Sequence, residues 1–437
     1  MYQLASVRDL TRHYNCLKLT IGTLIYRLAR VDISSKLSAS VKSLRPSEVR
    51  EILALTENRK VLSLAGGLPG PEVFPKDDLA RIASRVIEEL GDSALQYSPT
   101  LGVMPFREAV ADFVRSRGVK VLDNDRVAVT TGSQEAIYLL AMTLINPGDA
   151  IIVESPTYLA ALNVFRYYGA DFVQVPIDEN GMRTDLLEDK IKEAISKGLK
   201  PKLIYTVPTC HNPTGVIMPD DRRKELLEVA SRYDLLVIED DPYSFFTFDD
   251  VKFTPLKTLD SEGRVVYLGT FSKILAPGLR LGYMIGDRQL VRTVELAKQM
   301  VDLHSSTLSQ YIALYAIKEG VVDKTIAKAR EVYRYKRDVL IESLEEYMPE
   351  GSHWYKPRGG LFAFIYLPEG VDTAEMLPMA IDRGVAYVPG RSFFADGSGA
   401  NAMRINFSYL PPDKLKLGIK LIADTARDYM SQKSRPS

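Results

Sequence analysis

A single lysine, Lys273, follows an apolar run at a place where a charge is unusual. The run, residues 265–269, contains β-branched residues and predicts a buried strand. Thr270 and Ser272 flank the lysine, and Arg280 follows a proline-glycine turn. An amine can form a Schiff base, and hydroxyls with a guanidinium can bind a phosphate, so the stretch predicts a site for an aldehyde cofactor that carries a phosphate. The alternative is a surface lysine where the strand exits, because charged side chains are rarely buried.

Other polar clusters follow predicted strands elsewhere in the chain. Short apolar runs alternate with helical patterns, at residues 126–131, 150–154, 203–207 and 235–239. The residues that follow these runs include Gly132-Ser133-Gln134, Tyr158, Asn212, Asp240 and Tyr243. The alternation predicts a mainly parallel sheet covered by helices. Because ligands of such sheets bind outside the carboxyl ends of the strands, we expect these clusters to meet, with the Gly132-Ser133 turn offering a helix N-terminus to a phosphate.

The pattern changes near residue 300 and predicts two domains. Residues 76–300 form the large domain, which binds the cofactor. Residues 301–437 carry long helices and alternating strands, which indicate a smaller α+β domain. Residues 38–75 are expected to join that small domain.

Residues 1–37 are predicted to be a poorly ordered N-terminal extension. Their apolar part is interrupted by Lys18 and Arg27, and a small-residue cleavage site is missing, so a secretory signal peptide is not indicated. A weak amphipathic targeting helix and a translation start placed too early remain alternatives.

Composition favours an ordinary cytoplasmic protein. Hydrophobic residues make up 46% and charged residues 26%, and 56 basic residues balance 56 acidic ones, which argues against a nucleic-acid partner. No apolar run reaches the roughly 20 residues that span a bilayer, so no membrane partner is expected. Cys16 and Cys210 are far apart, and four histidines lack ligand spacing, so we expect no disulfide framework and no metal site.

Several motifs together resemble the class I/II aminotransferases, from about Ser38 to the C-terminus. The motifs that carry this likeness are Ser-Lys273-x-x-x-Pro-Gly-x-Arg280-x-Gly, Asn212-Pro-Thr-Gly and Asp240-x-x-Tyr243. A nearer likeness is to the prokaryotic 2-aminoadipate, aromatic and multi-substrate branch, through Ser-Leu-Ala-Gly-Gly-Leu-Pro69, Leu95-Gln-Tyr-Ser-Pro-Thr-x-Gly102 and Val388-Pro-Gly390 with Phe393-Phe394-Ala395. The resemblance implies the α/β fold type I of pyridoxal-phosphate transferases, with a mainly parallel seven-stranded sheet, covered by helices, in the large domain, a smaller α+β domain, and pyridoxal 5'-phosphate as the cofactor.

The resemblance also implies roles for individual residues. Lys273 would hold the cofactor as a Schiff base and later move a proton. Asp240 would keep the pyridine nitrogen protonated. Asp241 is its rival, and a capping or turn aspartate is the alternative. Tyr243 and Asn212 would contact the phenolic oxygen of the cofactor, and Tyr158 would lie on the ring face, where the best-known members carry tryptophan. The implied phosphate contacts are Ser133, Gln134, Thr270, Ser272 and Arg280. Tyr97 would contact the phosphate of the cofactor in the neighbouring subunit of a homodimer.

Substrate binding is expected to depend on arginine. Arg404 stands inside an apolar strand and needs an anionic partner. By resemblance this partner is the substrate α-carboxylate, held with help from Asn212, and the alternative is a structural ion pair. Arg50, with Ser47 and Gly67 nearby, matches the position that meets a side-chain carboxylate in the 2-aminoadipate branch. A solvated helix face is the alternative for Arg50.

The expected activity is transfer of an amino group from 2-aminoadipate, an aromatic amino acid or another donor with a long side chain to 2-oxoglutarate, by a ping-pong mechanism. The alternative is another pyridoxal-phosphate reaction on amino acids, such as a carbon–sulfur lyase or a decarboxylase, because one fold hosts many chemistries. A third class, transcriptional regulators that carry the same domain, needs an N-terminal DNA-binding module. Residues 1–37 are short for one and show no helix-turn-helix pattern with a basic face.

Overall fold

The computed structural model describes residues 31–38, 41, 44, 48–56 and 61–433. The chain divides into two compact units, residues 1–44 and 45–437. In the first unit a short 3-10 helix, Ile33–Lys36, begins after Asp32, whose carboxylate accepts a hydrogen bond from the Ser34 amide at 3.0 Å. Most of the predicted N-terminal extension lies outside the described residues, and the predicted domain boundaries stay predictions.

The second unit alternates helices with strands. Its described α-helices are α1 (Glu48–Thr56), α2 (Lys76–Ala94), α3 (Met104–Arg115), α4 (Ser133–Leu144), α5 (Leu159–Tyr167), α6 (Thr184–Ser196), α7 (Asp220–Arg232), α8 (Leu256–Leu259), α9 (Arg288–Val301), α10 (Thr307–Lys318), α11 (Val321–Tyr347), α12 (Thr373–Asp382) and α13 (Pro412–Lys433). Its strands are β1 (Leu62–Ser63), β2 (Asp125–Thr130), β3 (Asp149–Ser155), β4 (Asp171–Asp178), β5 (Gly181–Met182), β6 (Lys200–Thr206), β7 (Leu236–Asp240), β8 (Val265–Thr270), β9 (Gly282–Asp287), β10 (His353–Trp354), β11 (Phe362–Tyr366), β12 (Val385–Ala386), β13 (Val388–Pro389) and β14 (Ala402–Asn406). Within the described residues no helix is long and apolar enough to cross a bilayer.

The central sheet has the strand order β2-β9-β8-β7-β6-β3-β4-β5. The neighbours from β8 to β4 are parallel, and β9 is antiparallel to both strands beside it. The prediction of seven strands is wrong by one, because β5 adds an eighth. This strand has two residues and pairs antiparallel with the end of β4, so it is too short to produce a readable apolar pattern.

Helices cover both faces of this sheet, because alternate side chains of each strand point to opposite faces. Ile151 and Val153 of β3 pack in one cluster with α4, α5 and α9. Ala150 and Ile152 of the same strand pack in a second cluster with α6 and α7. Burial on both faces explains the continuous apolar runs from which the parallel strands were predicted.

The parallel strands end at one edge of the sheet. All five of them stop at residues that carry a hydroxyl or a carboxylate: Ser155 of β3, Asp178 of β4, Thr206 of β6, Asp240 of β7 and Thr270 of β8. Asp240 and Thr270 lie in neighbouring parallel strands. The edge therefore gathers polar groups that lie far apart in the chain.

Two smaller sheets complete the unit. One is antiparallel, with the order β10-β11-β14-β13, and places Arg404 opposite Phe364 and Val388. The other pairs β1 with β12 in parallel. The chain changes sheets at Tyr387, so that residues 385–389 form two strands of two residues each.

A buried ionic cluster supports the turn between β2 and α4. The Nζ atom of Lys298 lies 2.7 Å from Glu135 and 2.8 Å from both carboxylate oxygens of Asp302. The Thr131 hydroxyl donates to Asp302 at 2.8 Å, and its amide donates to Glu135 at 2.6 Å. Lys298 is fully buried, so the cluster supplies the opposite charges that its burial requires.

Candidate active site

A cavity of about 690 Å³ opens at the carboxyl edge of the central sheet. Almost all of the predicted site residues line it: Arg50, Gly67, Ser133, Gln134, Tyr158, Asn212, Asp240, Tyr243, Thr270, Ser272, Lys273, Arg280 and Arg404. Tyr97 does not line the cavity, and Ser47 lies outside the described residues. The convergence predicted from the strand ends is therefore present in the structure.

Lys273 follows β8 and reaches across to the segment after β1. Its Nζ atom donates a hydrogen bond to the carbonyl oxygen of Gly67 at 2.7 Å. Burial lowers the pKa of Lys273, and the positive charges of Arg404 and Arg280 add to this effect, so that together they bring it to about 8. A large fraction of the amine is therefore neutral near pH 8, which is the form that acts as a nucleophile or a base.

Asp240 ends β7 and is buried among groups that disfavour its charge. One oxygen accepts a hydrogen bond from the hydroxyl of Tyr205 at 2.7 Å, while Oδ1 is buried without a hydrogen-bond partner. Burial raises the pKa of Asp240 to about 7, with Asp241 and Glu154 adding to the rise and the Tyr205 hydrogen bond opposing it. The unpartnered oxygen calls for a donor, because a buried acceptor without a partner is costly.

Asp241, the rival of Asp240, belongs to a different environment. Its carboxylate accepts hydrogen bonds from the Tyr267 hydroxyl at 2.7 Å and from the Ser244 amide at 3.0 Å. It does not line the cavity. Consecutive residues at the end of a strand point in opposite directions, so only one of the two aspartates can serve this site.

Arg404 of β14 is 2% exposed and enters the cavity from the small antiparallel sheet. Its guanidinium donates hydrogen bonds to Asn212 Oδ1 at 3.0 Å and to the Ala65 carbonyl oxygen at 2.9 Å. The Cζ atom of Arg404 lies 4.1 Å from the centre of the Phe362 ring. Burial lowers the pKa of Arg404 to about 10, so the group remains charged at neutral pH. Within residues 48–56 and 61–433 the guanidinium forms no ion pair, and its Nε atom has no hydrogen-bond partner.

The turn at Gly132 forms a cup that an anion can occupy. Gly132 has φ +77° and precedes α4, which begins without a side-chain cap, so its first amide groups remain available. Gly282 closes the cup from β9. A Cβ atom at Gly282 would lie 2.6 Å from the Ser133 nitrogen, so only glycine permits this approach.

Arg280 stands at the rim of this cup. It adopts the left-handed conformation, with φ +52°. Its guanidinium lies 3.4 Å from the Ser272 hydroxyl and 3.3 Å from the Thr131 carbonyl, and a Cβ atom at Gly132 would come within 2.7 Å of it. Thr270 braces the same stretch, because its Oγ1 accepts from the Ser272 amide at 3.1 Å.

Two tyrosines face the cavity. The Tyr158 hydroxyl donates to Gln134 Oε1 at 3.3 Å. Burial raises the pKa of Tyr158 to about 12, and it also raises the pKa of Tyr243, which packs edge-on against Phe362 at 5.8 Å. Both phenols therefore stay protonated at neutral pH and can donate hydrogen bonds.

Three predicted residues are exposed: Arg280 at the rim of the cup, Arg50 and Tyr97. Arg50 lies on α1 at the outer side of the cavity. Tyr97 is 77% exposed, and its ring lies edge-on against His304 at 5.6 Å, outside the cavity. Within this chain, Tyr97 is therefore not assembled with the other predicted residues.

The residues present fit pyridoxal phosphate. The cup at Gly132 suits a phosphate, since amide groups, hydroxyls and a guanidinium surround it. The free oxygen of Asp240 suits a protonated ring nitrogen, and the partly neutral amine of Lys273 suits an aldehyde. Arg404 is left for the carboxylate of a second molecule.

Sequence reasoning missed two side chains that contact this site. Tyr205 lies in an apolar run, where a tyrosine is not distinguishable from a packing residue. Phe362 alternates within β11 in the same way, yet its ring covers the guanidinium of Arg404. Only the folded structure places Tyr205 against Asp240 and Phe362 against Arg404.

The chain is similar to several known aminotransferases. The model of the family described as aminotransferase class I and II matches residues 71–422. An aromatic-amino-acid aminotransferase of Thermococcus litoralis is 46% identical, over 92% of this chain and 96% of that protein. The structure of a multiple substrate aminotransferase from Thermococcus profundus has a TM-score of 0.88 at 45% identity, covering 92% of this chain and all (100%) of that one. The structure of an alpha-aminoadipate aminotransferase from Thermus thermophilus, complexed with N-(5'-phosphopyridoxyl)-L-leucine, has a TM-score of 0.84 at 33% identity. The match covers 92% of this chain and 100% of that chain. These likenesses confirm the predicted fold type I.

The environment of Lys273 predicts its reactivity in the cofactor-free protein. Acetylation of Lys273, measured by mass spectrometry over a pH series, should rise with a midpoint near pH 8, where the pKa is about 8. An ordinary lysine titrates near about 10.4. Arg404→Gln should move the midpoint upward, because it removes a positive charge that disfavours the protonated amine. A midpoint near the ordinary value in the wild-type protein would contradict the burial of this amine.

Proposed function

The chain belongs to the class I and II aminotransferases, which depend on pyridoxal phosphate, and on that premise we propose that it transfers the amino group of 2-aminoadipate, an aromatic amino acid or another donor with a long side chain to 2-oxoglutarate. The observation that carries the proposal is Arg404. In the part of the chain that the structure describes, its buried guanidinium has no acidic partner, and it faces the same cavity as a partly neutral lysine amine. This pairing suits a substrate that carries both a carboxylate and an α-amino group.

Arg404 binds the α-carboxylate and fixes where the α-carbon lies. Asn212 Oδ1 accepts a hydrogen bond from one N–H group of the guanidinium, and the Ala65 carbonyl oxygen accepts one from another. The guanidinium is therefore held in one orientation before substrate binds. Phe362 and Phe393 lie over it at 4.1 and 5.1 Å and keep water from its faces. Because a 2-oxo acid carries the same carboxylate, one arginine serves donor and acceptor in turn, as a ping-pong reaction requires.

Lys273 moves the proton at the substrate α-carbon. Bound pyridoxal phosphate supplies an aldehyde that takes up the amino group and a ring that accepts the electrons released at that carbon. The amine of Lys273 accepts and returns the proton, and its lowered pKa keeps a neutral fraction available for this. Asp240 holds the ring nitrogen protonated through its free oxygen. Tyr243 and Asn212 bind the phenolic oxygen, and Tyr158 covers the ring.

The remaining contacts hold the phosphate and select the side chain. Amides at Ser133 and Gln134, the hydroxyls of Thr270 and Ser272, and the guanidinium of Arg280 bind the phosphate. Arg50, on the outer side of the cavity, meets a side-chain carboxylate in acidic donors. Gly67 lines the same cavity without a side chain, and a Cβ atom there would lie 3.3 Å from Phe362.

The working form is a homodimer with each active site at the interface. In this arrangement Tyr97, which is 77% exposed and rests on His304, reaches the phosphate of the neighbouring subunit's cofactor. Light scattering during gel filtration should give twice the mass of one chain, and a single-chain mass with full activity would reject the interface role of Tyr97.

An assay of the purified protein with pyridoxal phosphate tests the proposed reaction. The protein should absorb visible light and form glutamate from 2-oxoglutarate with 2-aminoadipate or an aromatic donor. Lys273→Ala should reduce turnover to background, because its amine is the group assigned to move the proton. Release of ammonia or an amine without any 2-oxo acid acceptor would instead indicate a lyase or a decarboxylase, and failure to bind the cofactor would reject the whole assignment.

Arg50→Ala tests the side-chain contact. We expect kcat/KM to fall about 10- to 100-fold for 2-aminoadipate, which loses a charged hydrogen bond, and little for phenylalanine. Arg50→Lys keeps the charge and should retain most of the activity on acidic donors. Equal losses on acidic and aromatic donors would show that Arg50 is only part of a solvated helix face.

A further inference from the structure

Tyr205 lies beneath the site, in the strand beside the one that carries Asp240. Tyr205 belongs to β6, which runs parallel to β7. In the register of these two strands Tyr205 is paired with Ile238 and not with Asp240. The ring is 0% exposed and packs edge-on against Phe165 at 5.5 Å. Its hydroxyl donates to Asp240 Oδ2 at 2.7 Å.

This hydrogen bond makes the two carboxylate oxygens of Asp240 different from each other. Oδ2 is fixed by Tyr205, and Oδ1 is buried without a partner in a residue that lines the cavity. A carboxylate with one anchored oxygen cannot rotate freely about its terminal bond. The anchor therefore decides which oxygen faces a ring placed in the cavity.

The groups around Asp240 make the same hydrogen bond important for its charge. Glu154 of β3 and the adjacent Asp241 are acidic and disfavour a second negative charge. The phenols of Tyr158 and Tyr243 face the same cavity, as do the cationic groups Lys273, Arg280 and Arg404. Among the described residues Asp240 forms no ion pair. Burial raises the pKa of Tyr205 itself well above its ordinary value, so this phenol remains a donor at every working pH. A donor of this kind favours the ionised carboxylate.

We propose that Tyr205 is a positioning residue that orients Asp240 and keeps it ionised, and so sets how tightly the pyridine nitrogen of the cofactor is held. This inference rests on the proposed function, since it concerns the same cofactor. It assigns to a buried tyrosine of the central sheet a contribution to cofactor binding that its distance from the cavity surface conceals.

The chain offers a matched control in Tyr267. This residue lies in β8, is 1% exposed, and donates to the neighbouring carboxylate of Asp241, also at 2.7 Å. The two tyrosines thus make the same hydrogen bond to consecutive aspartates, but only Asp240 lines the cavity. Tyr205→Phe and Tyr267→Phe each remove one buried hydroxyl and keep the ring, so their packing costs are comparable.

Titration of the cofactor-free protein with pyridoxal phosphate and with its 1-deaza analogue, which has carbon in place of the ring nitrogen, tests the proposal. Tyr205→Phe should raise the Kd of pyridoxal phosphate about tenfold, the usual value of a hydrogen bond to a charged group. The Kd of the analogue should change little, because it offers Asp240 nothing to bind. Tyr267→Phe should leave both constants near the wild-type values.

The visible absorption of the bound cofactor gives a second readout. In Tyr205→Phe the pH midpoint of this absorption should move upward. A ring nitrogen that is less fully protonated withdraws less charge from the nitrogen that joins the cofactor to Lys273, and that nitrogen is the group that titrates. The double variant Tyr205→Phe with Asp240→Asn should bind pyridoxal phosphate as weakly as Asp240→Asn alone, since Tyr205 acts through Asp240.

Three outcomes would overturn the inference while leaving the proposed function intact. These are an unchanged Kd in Tyr205→Phe, an equal loss for pyridoxal phosphate and its 1-deaza analogue, and an equal loss in Tyr205→Phe and Tyr267→Phe. A wild-type protein that binds no pyridoxal phosphate would overturn the proposed function, and this inference with it.

Discussion

Burial of charge without an opposite charge is the constraint on which this site depends. Lys273, Asp240 and Arg404 each lose water at the same cavity, and none forms an ion pair within the described residues. Elsewhere the fold supplies partners for buried ions, as Lys298 shows with Glu135 and Asp302. The charged forms of these groups are therefore destabilised in the free protein. The free-energy cost of their desolvation is offset when complementary charges bind.

The fold makes this arrangement possible by bringing charges from separate elements to one place. Asp240 ends β7 and Lys273 lies just after the neighbouring parallel strand β8 of the central sheet, while Arg404 comes from the small antiparallel sheet. Strands fix positions more closely than loops, and each charged group is tied to its neighbours by at least one hydrogen bond, to Tyr205, Gly67 or Asn212. The site is thus held in shape by the backbone ladders rather than by its ligand.

Much of this could be predicted from the sequence, for identifiable reasons. Buried parallel strands are read from continuous apolar runs, and polar residues after them mark the edge where ligands bind, which located Lys273 and Asp240. The two-residue strands β5, β12 and β13 carry no such pattern. Tyr205 could not be identified, because one tyrosine among 23 in the chain becomes distinctive only when strand pairing places it against Asp240. The outward position of Tyr97 likewise depends on its contact with His304, which lies 207 residues later (304 − 97).

The ionic cluster behind Thr131 has a consequence for how the protein meets its cofactor. The amide, hydroxyl and carbonyl of Thr131 all take part in hydrogen bonds, to Glu135, Asp302 and Arg280. No free backbone group remains at that residue to support another conformation of the turn. An arriving phosphate therefore meets a receptor that is already rigid, and the loss of conformational entropy that usually weakens anion binding in loops is incurred during folding instead.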